Sequence, residues 1–306
     1  MAISRREVLK AGGAAAAAAA IPMPIRALSG EAKMERRPLG KTGWKASIYA
    51  LGSAEVPDIP ATVRAINTLI DGGVNYLDTA PSYQGTRSER AIGEVMKTRR
   101  KEVFLATKTL GRDAEGAYRE VKESLERLQT KQIDTLQIHS VNDFGTLDQV
   151  LARGGGVEGL ERAKKEGLIR FIGITGHTRP EVISKALDQY PFDSILVPVS
   201  ALDASLSDFA DDVIPKANKL GIAIVGMKAL KGIERVGGPF DAGEFLRYAW
   251  SLPISTLTIG LRIESEAKAN LAHALAFKKM PVAEMRALEA KHRDKATADA
   301  LWWKRR

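Results

Sequence analysis

The chain has no cysteine among its 306 residues, which excludes disulfides, a cysteine nucleophile, thiolate zinc sites and iron–sulfur clusters, and leaves the redox state of its compartment open. The apolar run from Ala11 to Ile21 falls short of the ~20 residues that a membrane-spanning helix needs. Lys and Arg are scattered between acids without interleaved aromatics, so solvated helix faces explain them and nucleic acid is not an expected partner. No Pro/Gly/Ser-rich linker interrupts the later chain, and no low-complexity tract follows the N-terminal segment. What is there is globular: 44% hydrophobic and 27% charged residues exclude a disordered, collagenous or polytopic membrane chain. The net charge is +9, but the first 29 residues hold four basic and one acidic, leaving +6 beyond them. That mild excess is compatible with an anionic cofactor or substrate.

The N-terminus resembles a twin-arginine export signal. Arg5 and Arg6, then Leu9 and Lys10, precede the weakly hydrophobic alanine run, with Pro22, Pro24, Arg26 and small residues after it. Residues 1–29 are expected to be a signal peptide cleaved near Ala27 to Ser29, with the fold starting after about Lys33. The resemblance implies passage through the Tat translocase to the periplasm and no stable membrane span afterwards.

From Ser47 onward, apolar runs at 47–54, 75–81, 103–109, 133–140, 169–177, 194–200, 222–230 and 255–261 alternate with amphipathic stretches. The runs are rich in Val, Ile, Leu and Thr and nearly continuous in apolar character, as parallel strands buried on both faces require. Between them lie helices such as Ala114 to Leu128, whose Val121, Leu125 and Leu128 fall on one stripe opposite Arg119, Lys122 and Glu126. Eight alternations predict one α/β domain over 34–306, a single (β/α)8 barrel. The segment from Met280 to Arg306 is expected to pack outside as mostly one helix, leaving an open barrel mouth.

Barrel chemistry sits at the C-terminal ends of the strands, so polar residues that close these runs are the candidates. Asp78 ends the second run, Tyr83 follows in its loop, Lys108 closes the third and His139 the fourth. Singly, each has a structural explanation: a turn cap, a packed aromatic, a solvated charge, a rim histidine. Together, four titratable groups ending three adjacent strands converge on one small volume.

These residues resemble the aldo-keto reductase family over nearly the whole chain beyond the signal. RRPLGKTGWKAS resembles its opening hairpin and NYLDTAPSYQGTRSERAIGEVM its strongest signature; FLATKT carries its lysine, LQIHS its histidine, and IGLRIESEAKANL its cofactor-binding segment. The resemblance implies an NAD(P)H-dependent oxidoreductase that acts on a carbonyl or alcohol (aldehyde, ketone or sugar), with Asp78, Tyr83, Lys108 and His139 catalytic and no metal. A free phenol with pKa about 10 is a reluctant acid and a worse base near neutrality. Lys108 is expected to stabilise the phenolate and lower that pKa, with Asp78 holding the ammonium in place.

The resemblance also implies a dinucleotide site from Gly52, Ser53, Asp78, Gly176, His177, Lys228, Leu230, Arg262, Glu266 and Asn270. Arg262 is expected to meet a phosphate on the adenosine ribose, favouring NADP(H); Glu266 stands where relatives often carry glutamine, which keeps NAD(H) as an alternative. The chain departs from the family at Gly176 and His177, where many relatives have Ser-Asn, and at Leu196 and Val199, where they have a glutamine and a stacking tyrosine. Trp44, Phe144 and His177 are candidate pocket residues, and Trp302 and Trp303 are read as packing residues. Export suggests a tightly retained cofactor. Two other readings stay open: a non-catalytic NADP(H)-binding regulatory barrel, and a Schiff-base lyase that uses Lys108.

Overall fold

Each apolar run read from the sequence forms a strand. The structure, a computed structural model, describes residues 33–206, 209–236 and 240–304; the twin-arginine segment and its cleavage point lie outside the described residues. A hairpin of β1 (Arg36–Pro38) and β2 (Lys45–Ser47) leads into β3 (Tyr49–Gly52), β4 (Tyr76–Asp78), β5 (Phe104–Thr109), β6 (Ile133–Ile138), β7 (Ile169–Thr175), β8 (Ser194–Pro198), β9 (Ala223–Met227) and β10 (Thr256–Gly260). Strands β3 to β10 run parallel and close into one barrel, with β10 pairing both β9 and β3.

Helices α1 (Ile59–Asp71), α2 (Arg87–Arg99), α3 (Ala114–Arg127), α4 (Phe144–Leu151), α5 (Gly156–Lys165), α6 (Pro180–Gln189), α7 (Val213–Leu220), α8 (Ile233–Val236), α9 (Ala242–Ser251), α10 (Glu264–Leu275) and α11 (Val282–His292) fill the connections and the C-terminal segment. Their starts follow from sequence: Asp58, Asp113, Asp143 and Asp241 each turn a carboxylate onto a free backbone N–H in the first turn of α1, α3, α4 and α9. The predicted stripe of α3 holds. Val121 and Leu128 are buried and Leu125 is half-buried, while Arg119, Lys122 and Glu126 are exposed.

The hairpin closes the N-terminal end of the barrel. Leu39, Ala46 and half-buried Trp44 pack with Tyr76, Phe104, Phe171, Leu196 and Val225 inside it. Gly40, at φ +53°, passes so close to the backbone of Ala223 that a Cβ there would lie 2.4 Å from its nitrogen. This corrects the placement of Trp44 in the pocket: its ring lies 6.1 Å from that of Phe104, the first residue of β5, at the opposite end of the strand from Lys108. The C-terminal segment holds the expected helix, α11, but only over Val282–His292. After α11 ends at His292 the chain makes two short 3-10 turns, the second of which buries Trp303 and Lys304. Trp303 and Leu301 belong to an apolar cluster with Phe245, Tyr248 and Leu288, so burial of this segment outweighs continuation of an exposed helix.

One buried ion pair ties the outer layer to the strand that carries Lys108. Glu89 on α2, fully buried, accepts from Arg127 Nε on α3 at 2.5 Å and from Thr107 Oγ1 on β5 at 2.7 Å. Removing one partner strands a charge in the core, which costs about 3–5 kcal/mol, whereas removing both costs much less. Arg127→Met is therefore expected to lower the unfolding free energy by about 3 kcal/mol, and Glu89→Gln/Arg127→Met by less than the single change. Urea titrations check this; a single variant within about 0.5 kcal/mol of the parent would contradict it.

Candidate active site

Side chains two residues apart on a strand share a face, and the strand register sets their heights. Asp78 lies opposite Ala106, and Lys108, two residues further along β5, lies opposite Gln137 on β6. All three polar residues are buried. Lys108 Nζ donates to Asp78 Oδ1 and, at 2.7 Å, to the carbonyl of Thr79; Gln137 Nε2 donates to Asp78 Oδ2 at 2.9 Å. Both carboxylate oxygens act as acceptors, so the pair is carboxylate and ammonium. Burial pulls the ammonium's pKa down, but Asp78 and Tyr83 outweigh it and leave Lys108 above its ordinary value.

Tyr83 stands over this pair. Lys108 Nζ is 4.8 Å from the centre of its ring, and the His139 ring meets it edge-on with centroids 6.1 Å apart. The loop that places Tyr83 continues through three successive left-handed residues, Gln84 (φ 50°), Gly85 (φ 60°) and Thr86 (φ 71°). Two of these are not glycine, a local cost of about 1 kcal/mol or more each, held in place by the start of α2. The expected lowering of the phenol's pKa is only part of the balance. Burial raises it and is the largest influence; Lys108 lowers it, Asp78 raises it, and Tyr83 ends above its ordinary value. A phenolate loses more on leaving water than one ammonium, itself shared with Asp78, returns.

The two histidines are held neutral. His139 is pushed down to about 2 and His177 to about 3, in both cases by burial first and then by neighbouring cations, Lys108 and Lys228 among them. Their rings lie 6.1 Å apart. Arg112 fixes the turn below them by donating to the carbonyl of His139 at 2.6 Å, and Asn142 Oδ1 accepts the backbone N–H of His177 at 2.7 Å. His139 Nδ1 is buried with no hydrogen-bond partner, a polar atom that the fold alone does not use.

Other candidates are brought to the same mouth in part. Gly52 ends β3, and Ser53 follows it with its hydroxyl donating to the Asp78 carbonyl at 2.7 Å, so its side chain braces the site from below. Gly176 is a packing glycine: a Cβ would lie 2.6 Å from Ile183 of α6. Lys228, at φ +65°, puts its ammonium 5.3 Å from the ring of Trp303, and burial pulls its pKa to about 8; half-buried Leu230 follows in that loop. Leu196 and Val199 are both buried in apolar clusters, Leu196 inside the barrel. Arg262 lies at the exposed rim with Glu266, and Asn270 is buried beside Tyr49. Phe144 lies between Arg179 and Lys185, each within 5.0 Å of its ring centre. Trp303 of the C-terminal segment reaches Lys228 at this end of the barrel.

The sequence reading missed Gln137, Thr79 and Ser88. Gln137 was detectable, since it shares a strand face with His139. Ser88 links Ser53 at 2.6 Å to Thr79 at 2.7 Å in a chain of buried hydroxyls that only the folded loop reveals.

The neutral histidines give acid sensitivity a definite sign. A histidine whose folded pKa lies below its unfolded ~6.5 contributes stability above pH 6.5 that is lost as the pH falls toward the folded value. Between pH 6.5 and 5.5 each is expected to cost about 1 kcal/mol. The unfolding free energy of His139→Asn/His177→Asn should therefore fall less over this interval than that of the parent. Parallel slopes would show that the rings protonate in place.

Residues 49–234 match the Aldo/keto reductase family and residues 2–22 the TAT (twin-arginine translocation) pathway signal sequence. L-galactose dehydrogenase of Arabidopsis thaliana is 33% identical over 218 residues, 65% of this chain and 66% of its own, so the chain spans just under two thirds of that relative. Pyridoxal 4-dehydrogenase of Microbacterium luteolum is 25% identical over 257 residues, 68% of this chain and 71% of its own. Two solved structures share the fold: an aldo-keto reductase from Bacillus halodurans in its holo form (TM-score 0.71, 24% identity, 84% of this chain and 96% of that one) and one from Klebsiella pneumoniae in complex with NADPH (0.68, 19%, 85% and 95%). With the match running from the first barrel strand into α8 and across Asp78, Tyr83, Lys108 and His139, the chain belongs to the aldo/keto reductase family and begins with a twin-arginine signal sequence.

Proposed function

We propose that the protein is an oxidoreductase that moves a hydride between a nicotinamide dinucleotide, NADP(H) or NAD(H), and an aldehyde, ketone or sugar, with Tyr83 as general acid and base. The observation that carries this reading is the fully buried Lys108–Asp78 pair with the Tyr83 ring directly over its ammonium. The names of the relatives, a sugar dehydrogenase and a pyridoxal dehydrogenase, support a carbonyl or alcohol substrate. When bound, the dinucleotide supplies or accepts the hydride. The residues at the mouth fit such a group by charge, with half-buried Lys228 available to an anionic diphosphate and His139 Nδ1 still unpaired.

In reduction, negative charge grows on the substrate oxygen, and Tyr83 donates its proton there. Lys108 stabilises the phenolate left behind, and Asp78, Thr79 and Gln137 keep the ammonium charged and aimed. Neutral His139 orients the oxygen by hydrogen bonding. The same engagement argues against a Schiff-base lyase: Lys108 is a charged donor with two acceptors already in hand, not a free amine. A purely regulatory barrel leaves the assembled tetrad without a use. The twin-arginine signal supports export of the folded protein through the Tat translocase to the periplasm, with a cofactor loaded before export.

Tyr83→Phe is expected to lower turnover about 10²- to 10⁴-fold while dinucleotide binding persists. Full activity in the variant, across a panel of aldehydes, ketones and sugars on which the parent turns over, overturns the assignment. Because His139 stays neutral and Tyr83 holds its proton past its ordinary range, kcat/KM for carbonyl reduction should show no break near pH 6.5 and fall only above about pH 10. A pH–rate profile with an acid limb near 6.5 would instead make a protonated histidine the donor.

A further inference from the structure

Beyond α11 the chain does not trail into solvent. Leu301, Trp303 and Lys304 are buried against two loops at the barrel mouth, the one that follows β8 and the one that follows β9. In the first, Asp203 is fully buried in a 3-10 turn with both carboxylate oxygens short of a hydrogen-bond partner. Lys304 Nζ faces Asp203 at 3.5 Å and lies 4.9 Å from the ring centre of Phe209. A carboxylate so placed needs a counter-charge, and this segment brings one. In the second loop, Gly232 at φ +87° leaves room for the segment to pack: a Cβ there would lie 2.9 Å from Leu301 and 3.1 Å from the ring of Trp303. Arg235 Nη1 adds a bond to the carbonyl of Asp299 at 3.4 Å.

The loop after β9 is the one that carries Lys228 and Leu230. The Lys228 ammonium lies 5.3 Å from the ring of Trp303 and 6.0 Å from that of Trp302, so the two indoles stand at the cation available to an anionic diphosphate. The segment also acts on the catalytic side of the mouth, since Lys304 joins Lys228 and Lys108 among the cations that keep His177 neutral. Leu301 and Trp303 pack with Leu202, Ile233, Phe245 and Leu288 in a cluster separate from the barrel core. A satellite cluster can open while the core stays closed, because the strands lose none of their own pairing.

We infer that residues 296–304 are a clasp that fastens the loop after β9 over the barrel mouth, with the Asp203–Lys304 pair as its bolt, and that its opening governs how fast a dinucleotide enters and leaves, a role that rests on the dinucleotide reading of the mouth. A closed clasp slows release without any new contact to the ligand, which gives a dinucleotide loaded before export a means of staying bound afterwards.

Stopped-flow fluorescence of the full chain with NADH and NADPH, followed by a chase with the oxidised nucleotides, reads both rates. Lys304→Met strands the Asp203 carboxylate and is expected to raise the association and dissociation rates about tenfold or more. Loss of a cation near Lys228 would by itself slow the association of an anion, so a faster association cannot come from charge alone. Asp203→Asn/Lys304→Met, which removes the pair without stranding a charge, should return both rates to within about threefold of the parent. Gly232→Ala leaves every charge in place and should act like Lys304→Met by displacing the segment. A readout without ligand is hydrogen exchange at the amides of Leu301 and Lys304, which donate to the carbonyls of Thr297 and Leu301 at 2.9 and 2.7 Å. These should exchange about tenfold faster in Lys304→Met, with the amides of β5 and β6 unchanged. Faster exchange of these amides with unchanged nucleotide rates, or unchanged amides in both single variants, overturns the clasp and leaves the oxidoreductase reading standing. Binding of neither nucleotide by parent and variants overturns both.

Discussion

A charged lysine amine held out of water at the end of a barrel strand is the constraint around which this protein is arranged. Its side chain is 1% exposed, and an ammonium so placed is stable only where carboxylate charge and hydrogen-bond acceptors replace the lost hydration. Asp78 supplies the charge and Thr79 an acceptor, and the Tyr83 ring lies 4.8 Å from the ammonium. The same arrangement that makes the lysine tolerable makes it useful, since a fixed positive charge in a low-dielectric pocket acts strongly on the nearest titratable group.

The surrounding structure reads as support for that arrangement. Gln137 engages the second oxygen of Asp78, Ser53 its carbonyl, and the hydroxyls of Ser88 and Thr79 lock the loop that leads to Tyr83. One layer out, Glu89 ties α2, α3 and β5 together beside Lys108. The residues that hold the pair are themselves held, which is how a site keeps its geometry before a substrate arrives, while Gln137 Oε1 and His139 Nδ1 are buried without a partner. The hairpin, meanwhile, fills the far end of the barrel, so chemistry is confined to one mouth.

The barrel was legible because its strands are buried on both faces and therefore nearly continuous in apolar residues, a pattern that needs no knowledge of neighbours. Asp78, Lys108 and His139 were legible for a related reason: a charged or polar residue that ends such a run is conspicuous, and barrel geometry gathers the ends. Less local features were not. Trp44 looked like a pocket residue until the hairpin turned it into the closed end. The C-terminal segment looked like one helix because burial of Trp303 and Lys304 depends on partners on other elements, such as Phe245 and Asp203. The direction of the Tyr83 shift depended on a balance between desolvation and charge that spacing does not encode, and the pairing of Arg262 with Glu266 required both side-chain conformations.

The most direct test of the central claim is the pKa of Tyr83 itself, followed by NMR on chain carrying ¹³Cζ-labelled tyrosine, in the parent and in Asp78→Asn/Lys108→Met, where the ion pair is replaced without stranding either charge. Lys108 lowers the phenol's pKa more than Asp78 raises it, so the account predicts that Tyr83 titrates at higher pH in the double variant than in the parent. An unchanged or lower value would mean that the buried pair does not govern the tyrosine, and the proton chemistry assigned to it would have no physical basis.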